Sequence, residues 1–179
     1  MKTQTPSLEF SHFPVMLSEI IKISSPHKGG IFVDCTFGGG GYTKALLKFP
    51  KVKIIGIDRD NASIPFAKEV EKNFNKRFEF YNLKFSQIDK IIKKNVDVII
   101  FDLGLSSIQL KNLKRGFSFK SKEKLDMNMG FSNLSAEDAV NNLSQEELKL
   151  VIKILGEEKD ASIIARNICL LYTSAAADE

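Results

Sequence analysis

Apolar and polar positions along this chain sort into short blocks whose lengths and periods separate strands from helices. Residues 31–33 form an apolar run that passes through Asp34 into four consecutive glycines at 38–41, and 43–49 then read as a helix. A second apolar run, 52–57, ends at Asp58. Asp60 or Asn61 is placed to cap a helix through Val70, with Pro65 in its first turn, where a missing N–H costs little. Residues 77–81 read as a third strand and 86–93 as a helix. Residues 96–101 are apolar apart from Asp97, the pattern of a parallel strand covered on both faces, and the run ends at Asp102. Ahead of all this, Val15, Leu17, Ile20 and Ile21 have helical spacing over 14–23, and Ser24, Ser25, Pro26, Gly29 and Gly30 break it. The order β-α-β-α-β-α-β predicts an α/β fold with a parallel sheet and crossover helices.

Beyond Ile108 the character changes. Residues 111–133 are polar, rich in Lys, Ser and Asn, and carry no strand signal. Residues 135–142 and 144–155 read as helices. Each opens on a serine with an acidic residue three positions on, Ser135 with Asp138 and Ser144 with Glu147, which is the capping-box pattern. Helices without strands point to a helical insertion or a second domain. The expected division is a ligand-binding core over 1–109, a helical segment over 110–168, and a tail over 169–179 that shares no pattern with what precedes it and reads as non-native, a short native helix being the alternative.

Composition changes this picture only modestly. At 179 residues and 43% hydrophobic content the chain fits one globular domain or one domain with part of another. No apolar run is long enough to span a bilayer, and the first ten residues lack a signal-peptide pattern, so a cytoplasmic protein is expected. Cys35 and Cys169 have neither metal-ligand nor disulfide spacing, which fits a reducing compartment. The net charge of +4 tilts the expectation toward a polyanionic partner.

The candidate chemistry gathers where strands end. Glycines between a strand and a helix admit a ligand close to the backbone, and a carboxylate at the tip of the next strand, about twenty residues on, is where open α/β sheets bind a ribose. Asp58 holds that position, with Asp60 the alternative. Phe85 follows the third strand at the same edge, where contact with an adenine face and a core role are both open. Asp102 closes the fourth strand there, followed by Ser106, Ser107 and Gln109. His12 and His27 have no metal or triad spacing. Ser106 and Ser107 have no nucleophile-elbow context, and Lys44 does not follow a glycine as a P-loop lysine does, so serine hydrolysis and phosphoryl transfer are disfavoured. The dinucleotide fingerprint also fails, because Thr43 stands where its third glycine belongs. A nicotinamide-dependent oxidoreductase is the rival enzyme reading.

One ordered set of motifs is more specific than any of these features alone. His12-Phe-Pro-Val-Met-Leu17, Asp34-Cys-Thr-Phe-Gly-Gly-Gly-Gly-Tyr-Thr43, Gly56-Ile-Asp-Arg-Asp60, Asp102-Leu-Gly-Leu-Ser-Ser-Ile-Gln-Leu110, Arg115-Gly-Phe-Ser-Phe119, Leu125-Asp-Met-Asn-Met129 and Gly156-Glu-Glu158 resemble the bacterial ribosomal small-subunit cytosine-N4 methyltransferases, the RsmH or MraW family. The likeness runs from about residue 12 to 168. It implies a Rossmann-like methyltransferase fold, S-adenosyl-L-methionine as cofactor, and as substrate a cytidine amine in the decoding region of 16S rRNA in the small ribosomal subunit. By motif match, Gly40, Gly41 and Tyr42 fall on the family's cofactor loop, Asp58 on its ribose carboxylate, and Phe85, Asp102 and Gln109 on further cofactor-contact positions. Asp102 is also the candidate catalytic acceptor. Departures from the family pattern are Tyr42 in place of histidine, Ile108 and Lys111 in place of proline and aspartate around Gln109, and Asn128 in place of an arginine. The family pattern continues through a helical insertion back to further strands, so this chain resembles its N-terminal half with an incomplete sheet. A truncated fragment without activity is the remaining alternative. The basic 115–124 segment, with Phe117 and Phe119, is open to two readings: an RNA-contacting loop, or a solvated loop with two buried aromatics.

Overall fold

The computed structural model describes residues 14–132 and 134–175. Four strands, β1 (Gly30–Asp34), β2 (Val52–Asp58), β3 (Phe78–Asn82) and β4 (Val98–Ile100), form one sheet in the order β3-β2-β1-β4. Every pairing is parallel, with Phe32 beside Ile54 and Val98, and Ile54 beside Phe78. This is the arrangement of an open Rossmann-like sheet: the chain winds outward from β1 to β3, then returns past β1 to β4.

The alternation of side chains explains why the strands read as continuous apolar runs. Phe32, Ile54, Phe78 and Ile100 join one core cluster with Tyr42, Leu46, Leu47, Phe66, Ala67 and Val70. Their neighbours Val33 and Ile57 face the other way, into a second cluster with Cys35, Ile55, Ile88, Ile91 and Val96. The covering on both faces expected of 96–101 is not met: β4 is an edge strand whose Ile99 stays 46% exposed, and Lys53 in β2 and Glu79 in β3 are exposed polar positions. Asp97, the polar residue of the 96–101 run, has a backbone task. Its carboxylate accepts the N–H of Ile31 at 2.7 Å just before β4 begins, serving the ladder from a side chain.

The helices follow the expected order with shifted ends. The first, α1 (Leu17–Ser24), starts later than the 14–23 pattern because Met16 takes a left-handed conformation at φ 51°. The helix after the glycines, α2, spans Gly41–Leu46, and α3 (Ile64–Phe74) follows a 3₁₀ turn over Asn61–Ser63 with Pro65 in its first turn. The 86–93 pattern resolves into a 3₁₀ turn, Phe85–Gln87, and a short α4 (Ile88–Ile91). A short α5 (Ser107–Lys111) was not expected.

The chain divides into two compact units, Met1–Lys111 with Met129–Phe131, and Asn112–Asn128 with Ser132–Glu179. The second has no strand among its described residues. Its α6 (Ala136–Asn142) and α7 (Gln145–Leu155) both open on complete capping boxes, with Ser135 answering Asp138 and Ser144 answering Glu147. A further helix, α8 (Ala161–Ala175), was not expected over 161–168; its last turns cover 169–175, where a short native helix was the alternative to a non-native tail. Residues 176–179 and His12 lie outside the described residues.

One core group sets a pH dependence. Asp34, at the end of β1, is fully buried, accepts Thr43 Oγ1 at 2.7 Å, and lies 3.4 Å from the Thr36 N–H. Burial pushes its carboxyl up to about 6 against these hydrogen bonds, with smaller contributions from the carboxylates of Asp58 and Asp102. Because the folded value exceeds the unfolded one, this group's contribution is fully present below about pH 4 and is lost as pH rises through about 6. The difference corresponds to about 3 kcal/mol. Asp34→Asn is neutral throughout, so its stability relative to the parent is expected to rise between pH 4 and 7 in urea denaturation; parallel pH profiles would contradict this account.

Candidate functional site

The glycine bend is shaped first by packing. Gly38 and Gly40 have φ of 52° and 75°, the left-handed region that glycine enters without strain. A Cβ at Gly40 would lie 2.8 Å from the Phe37 ring, so this position excludes a side chain on two counts. The bend also uses part of its own donor set. Gly40 N–H donates to Phe37 O at 2.7 Å, and Gly38 N–H donates to Asp58 Oδ2 at 2.6 Å. Two N–H groups of the bend are thus engaged within the protein.

At the tip of β2, Asp58 accepts twice, from Gly38 N–H through Oδ2 and from Asp60 N–H through Oδ1 at 2.8 Å. Its carboxyl sits above the usual carboxylate range because burial outweighs these two hydrogen bonds. Asp60 caps the following 3₁₀ turn as expected, accepting Ala62 N–H at 3.0 Å. Its other oxygen accepts Gln109 Nε2 at 2.8 Å, a buried contact that joins the tip of β2 to the segment after β4.

At the tip of β4, Asp102 N–H donates to Thr36 Oγ1 at 2.8 Å, which pins this strand end to the segment leaving β1. The Asp102 residue itself is exposed. Its Oδ2 lies 3.4 Å from the hydroxyl of Tyr42, which makes its short hydrogen bond, 2.6 Å, to Val15 O. Tyr42 is buried, and that burial, followed by the Asp102 charge, holds its phenol up at about 12. The segment then turns back over the bend. A Cβ on Gly38 would meet Ser106 Cβ at 3.8 Å, and one on Gly39 would meet Ile108 Cδ1 at 3.7 Å. Phe85 meets Phe101 edge to face, 5.4 Å between centroids, and both rings remain partly exposed.

The structure therefore brings the glycine bend, Asp58, Asp102 and Gln109 to one end of the sheet. Phe85 joins them through Phe101, which directly precedes Asp102. His27 lies in the turn before β1, at the other end of that strand. Two shallow depressions lie elsewhere, one against α1 and one along β3. No group of three or more His, Cys, Asp or Glu among the described residues is placed to hold a metal. Asp34, Thr36 and Thr43, which the sequence offers only as members of the glycine-loop motif with no role assigned, hold the bend. Gln109 completes a third capping box: its Oε1 accepts Ser106 N–H at 2.8 Å, and its own N–H lies 3.3 Å from Ser106 Oγ. A Ser-x-x-Gln spacing at 106–109 is the signal that would have marked α5.

Chemically, the rim offers a half-buried carboxylate with lone pairs left for hydroxyl donors, an exposed carboxylate two strands away, and a pair of accessible aromatic edges. A group with an adenosine end and a positively charged centre fits this donor and acceptor set. The sequence profile of the MraW methylase family matches residues 9–176. Among curated relatives, the ribosomal RNA small subunit methyltransferase H of Bartonella tribocorum is 41% identical over 157 residues, covering 88% of this chain and 47% of that protein. The protein of the same description from Ehrlichia canis is 43% identical over 162 residues, covering 88% of this chain and 54% of that one. This chain thus spans about half the length of the curated relatives it matches. With the strand order and the rim of carboxylates in place beside that match, the chain belongs to the MraW methylase family.

Proposed function

We propose that this chain supplies the S-adenosyl-L-methionine-binding part, and the start of the substrate-recognition part, of a cytoplasmic methyltransferase acting on N4 of a cytidine in the decoding region of 16S rRNA. The observation that carries the reading is the convergence of the glycine bend, Asp58 and Asp102 on one rim of a parallel sheet, where open α/β folds bind nucleotides. Family membership and the names of its relatives support the methyltransferase chemistry.

In this reading Asp58 accepts hydrogen bonds from the ribose hydroxyls, Gly40, Gly41 and Tyr42 form the wall beneath the donor, and Phe85 with Phe101 covers the adenine. Bound S-adenosyl-L-methionine supplies an electrophilic methyl group on a cationic sulfur. The carboxylates of Asp34, Asp58, Asp60 and Asp102 make this end of the sheet acidic within a chain of net charge +4, which suits a cationic donor. Transfer to a neutral leaving group needs chiefly in-line placement of the accepting amine. Cytosine N4 is a weak nucleophile because its lone pair is delocalised, so an acceptor that takes the hydrogen bond of the developing cationic nitrogen lowers the barrier. Asp102, exposed at the strand tip, is that acceptor. The base must be reached outside a stacked helix, so the substrate is single-stranded or splayed RNA.

The 113–124 loop supports the RNA reading unevenly. Phe117 is buried under the Arg115 guanidinium, 5.2 Å from its ring centroid, so it belongs to the scaffold. Phe119 stands fully exposed between exposed lysines at 114, 120, 122 and 124, on a turn fixed by Ser121 Oγ donating to Leu113 O at 2.6 Å. An open ring amid cations is suited to stacking a base beside its phosphates.

Two tests follow from these assignments. Asp102→Asn should lower turnover about a hundredfold while calorimetric affinity for S-adenosylhomocysteine changes by less than about threefold; loss of that affinity without a turnover effect of its own would remove the acceptor role, and binding of NAD instead would overturn the cofactor. Phe119→Ala should weaken binding of single-stranded RNA about tenfold in a filter or anisotropy titration. Unchanged binding would return that loop to a purely solvated role.

A further inference from the structure

The three strand tips of the candidate site are tied by a chain of hydrogen bonds that the sequence pattern does not reveal. Gly38 N–H donates to Asp58, Asp60 N–H donates to the other oxygen of Asp58, Gln109 Nε2 donates to Asp60 Oδ2, and Gln109 Oε1 accepts Ser106 N–H. Asp102 N–H, a few residues before Ser106, donates to Thr36, which leads back into the bend. The links thus close on themselves through the backbone segments 36–38 and 102–106. The Asp60–Gln109 pair is the one link made between two side chains. Asp60 and Gln109 are both buried, at 7% and 6% exposure.

We propose that Asp60 and Gln109 form a clasp that positions the segment 102–109 over the glycine bend. Gln109 thereby serves the methyl-donor site as a positioning residue, and Asp60 is its required partner. The inference rests on the cofactor reading above and gives it a mechanical basis. Without the clasp, Ser106 and Ile108 lose their fixed place against Gly38 and Gly39. Asp58 then loses the constraint that its neighbour Asp60 transmits through the shared backbone. A carboxamide with one end on Ser106 and the other on Asp60 is oriented by the protein itself, before any ligand enters.

Both residues have an isosteric exchange that reverses the hydrogen bond between them. Asp60→Asn alone sets an amide against the Gln109 amide, or gives up the Ala62 N–H if it turns over. Gln109→Glu alone sets two carboxylates at hydrogen-bond distance. In the double variant the new amide at 60 donates to the new carboxylate at 109, while Ala62 N–H and Ser106 N–H keep their acceptors. The test measures S-adenosylhomocysteine affinity by calorimetry and, without ligand, hydrogen exchange at the Ser106 and Gly38 amides, in the parent, both single variants and the double variant. Each single variant is expected to lose at least tenfold in affinity and in amide protection, and the double variant to recover to within about threefold of the parent in both. A double variant as impaired as Gln109→Glu, or single variants with parental exchange, overturns the clasp. If the parent itself does not bind S-adenosylhomocysteine, the cofactor reading fails, and the exchange pattern alone decides the clasp.

Discussion

The hydrogen bond between the Gly38 amide and the Asp58 carboxylate, 2.6 Å long, is the constraint on which the rest of this rim depends. It joins the bend after β1 to the tip of β2, and both partners are fixed from behind. Gly38 is held by a left-handed turn closed on Phe37, and Asp58 by its own neighbour Asp60. A carboxylate in this position is raised in energy by burial, and its charge is tolerated because N–H groups point at it from two sides. Such an arrangement fixes where lone pairs remain for a ligand. The same logic runs one strand over. Asp34 is buried behind the bend, answered by Thr43, and helps to hold α2 against the sheet without reaching the surface.

The backbone architecture was legible because it follows from hydrophobic period. Strand cores such as Phe32-Val33 and Ile54-Ile55 send adjacent residues into opposite clusters, so in β1 and β2 the apolar runs mark strands covered on both sides, whereas the run in edge strand β4 leaves Ile99 exposed. The capping boxes at Ser135 and Ser144 were legible because their chemistry is local in sequence. Asp58 and Asp102 were placed at strand ends by the same reasoning, and the parallel register puts those ends at one edge.

What stayed hidden depends on contacts between residues far apart in the chain. Nothing in the spacing of Asp60 and Gln109 announces that they meet, and a resemblance-based role for Gln109 says only that it matters, not through what. Asp97 looked like a flaw in an apolar strand, whereas its carboxylate accepts an Ile31 amide. Phe117 and Phe119 share a motif and a composition, but only the structure separates a ring covered by Arg115 from one that faces solvent. Helix ends were displaced where single residues, such as Met16, adopt conformations that periodicity does not register.

Family membership and rim geometry meet in the reading proposed above, a nucleotide-like methyl donor held across the tips of β2, β1 and β4. Amide chemical shifts followed during titration with S-adenosylhomocysteine test this residue by residue. The account expects the changes to concentrate at 38–41, 58–60, 85 and 101–109, with the lower end of the sheet near His27 and Gly30 silent. Changes centred on α1 or on the outer edge of β3, or no response along the rim at saturating ligand, would contradict it.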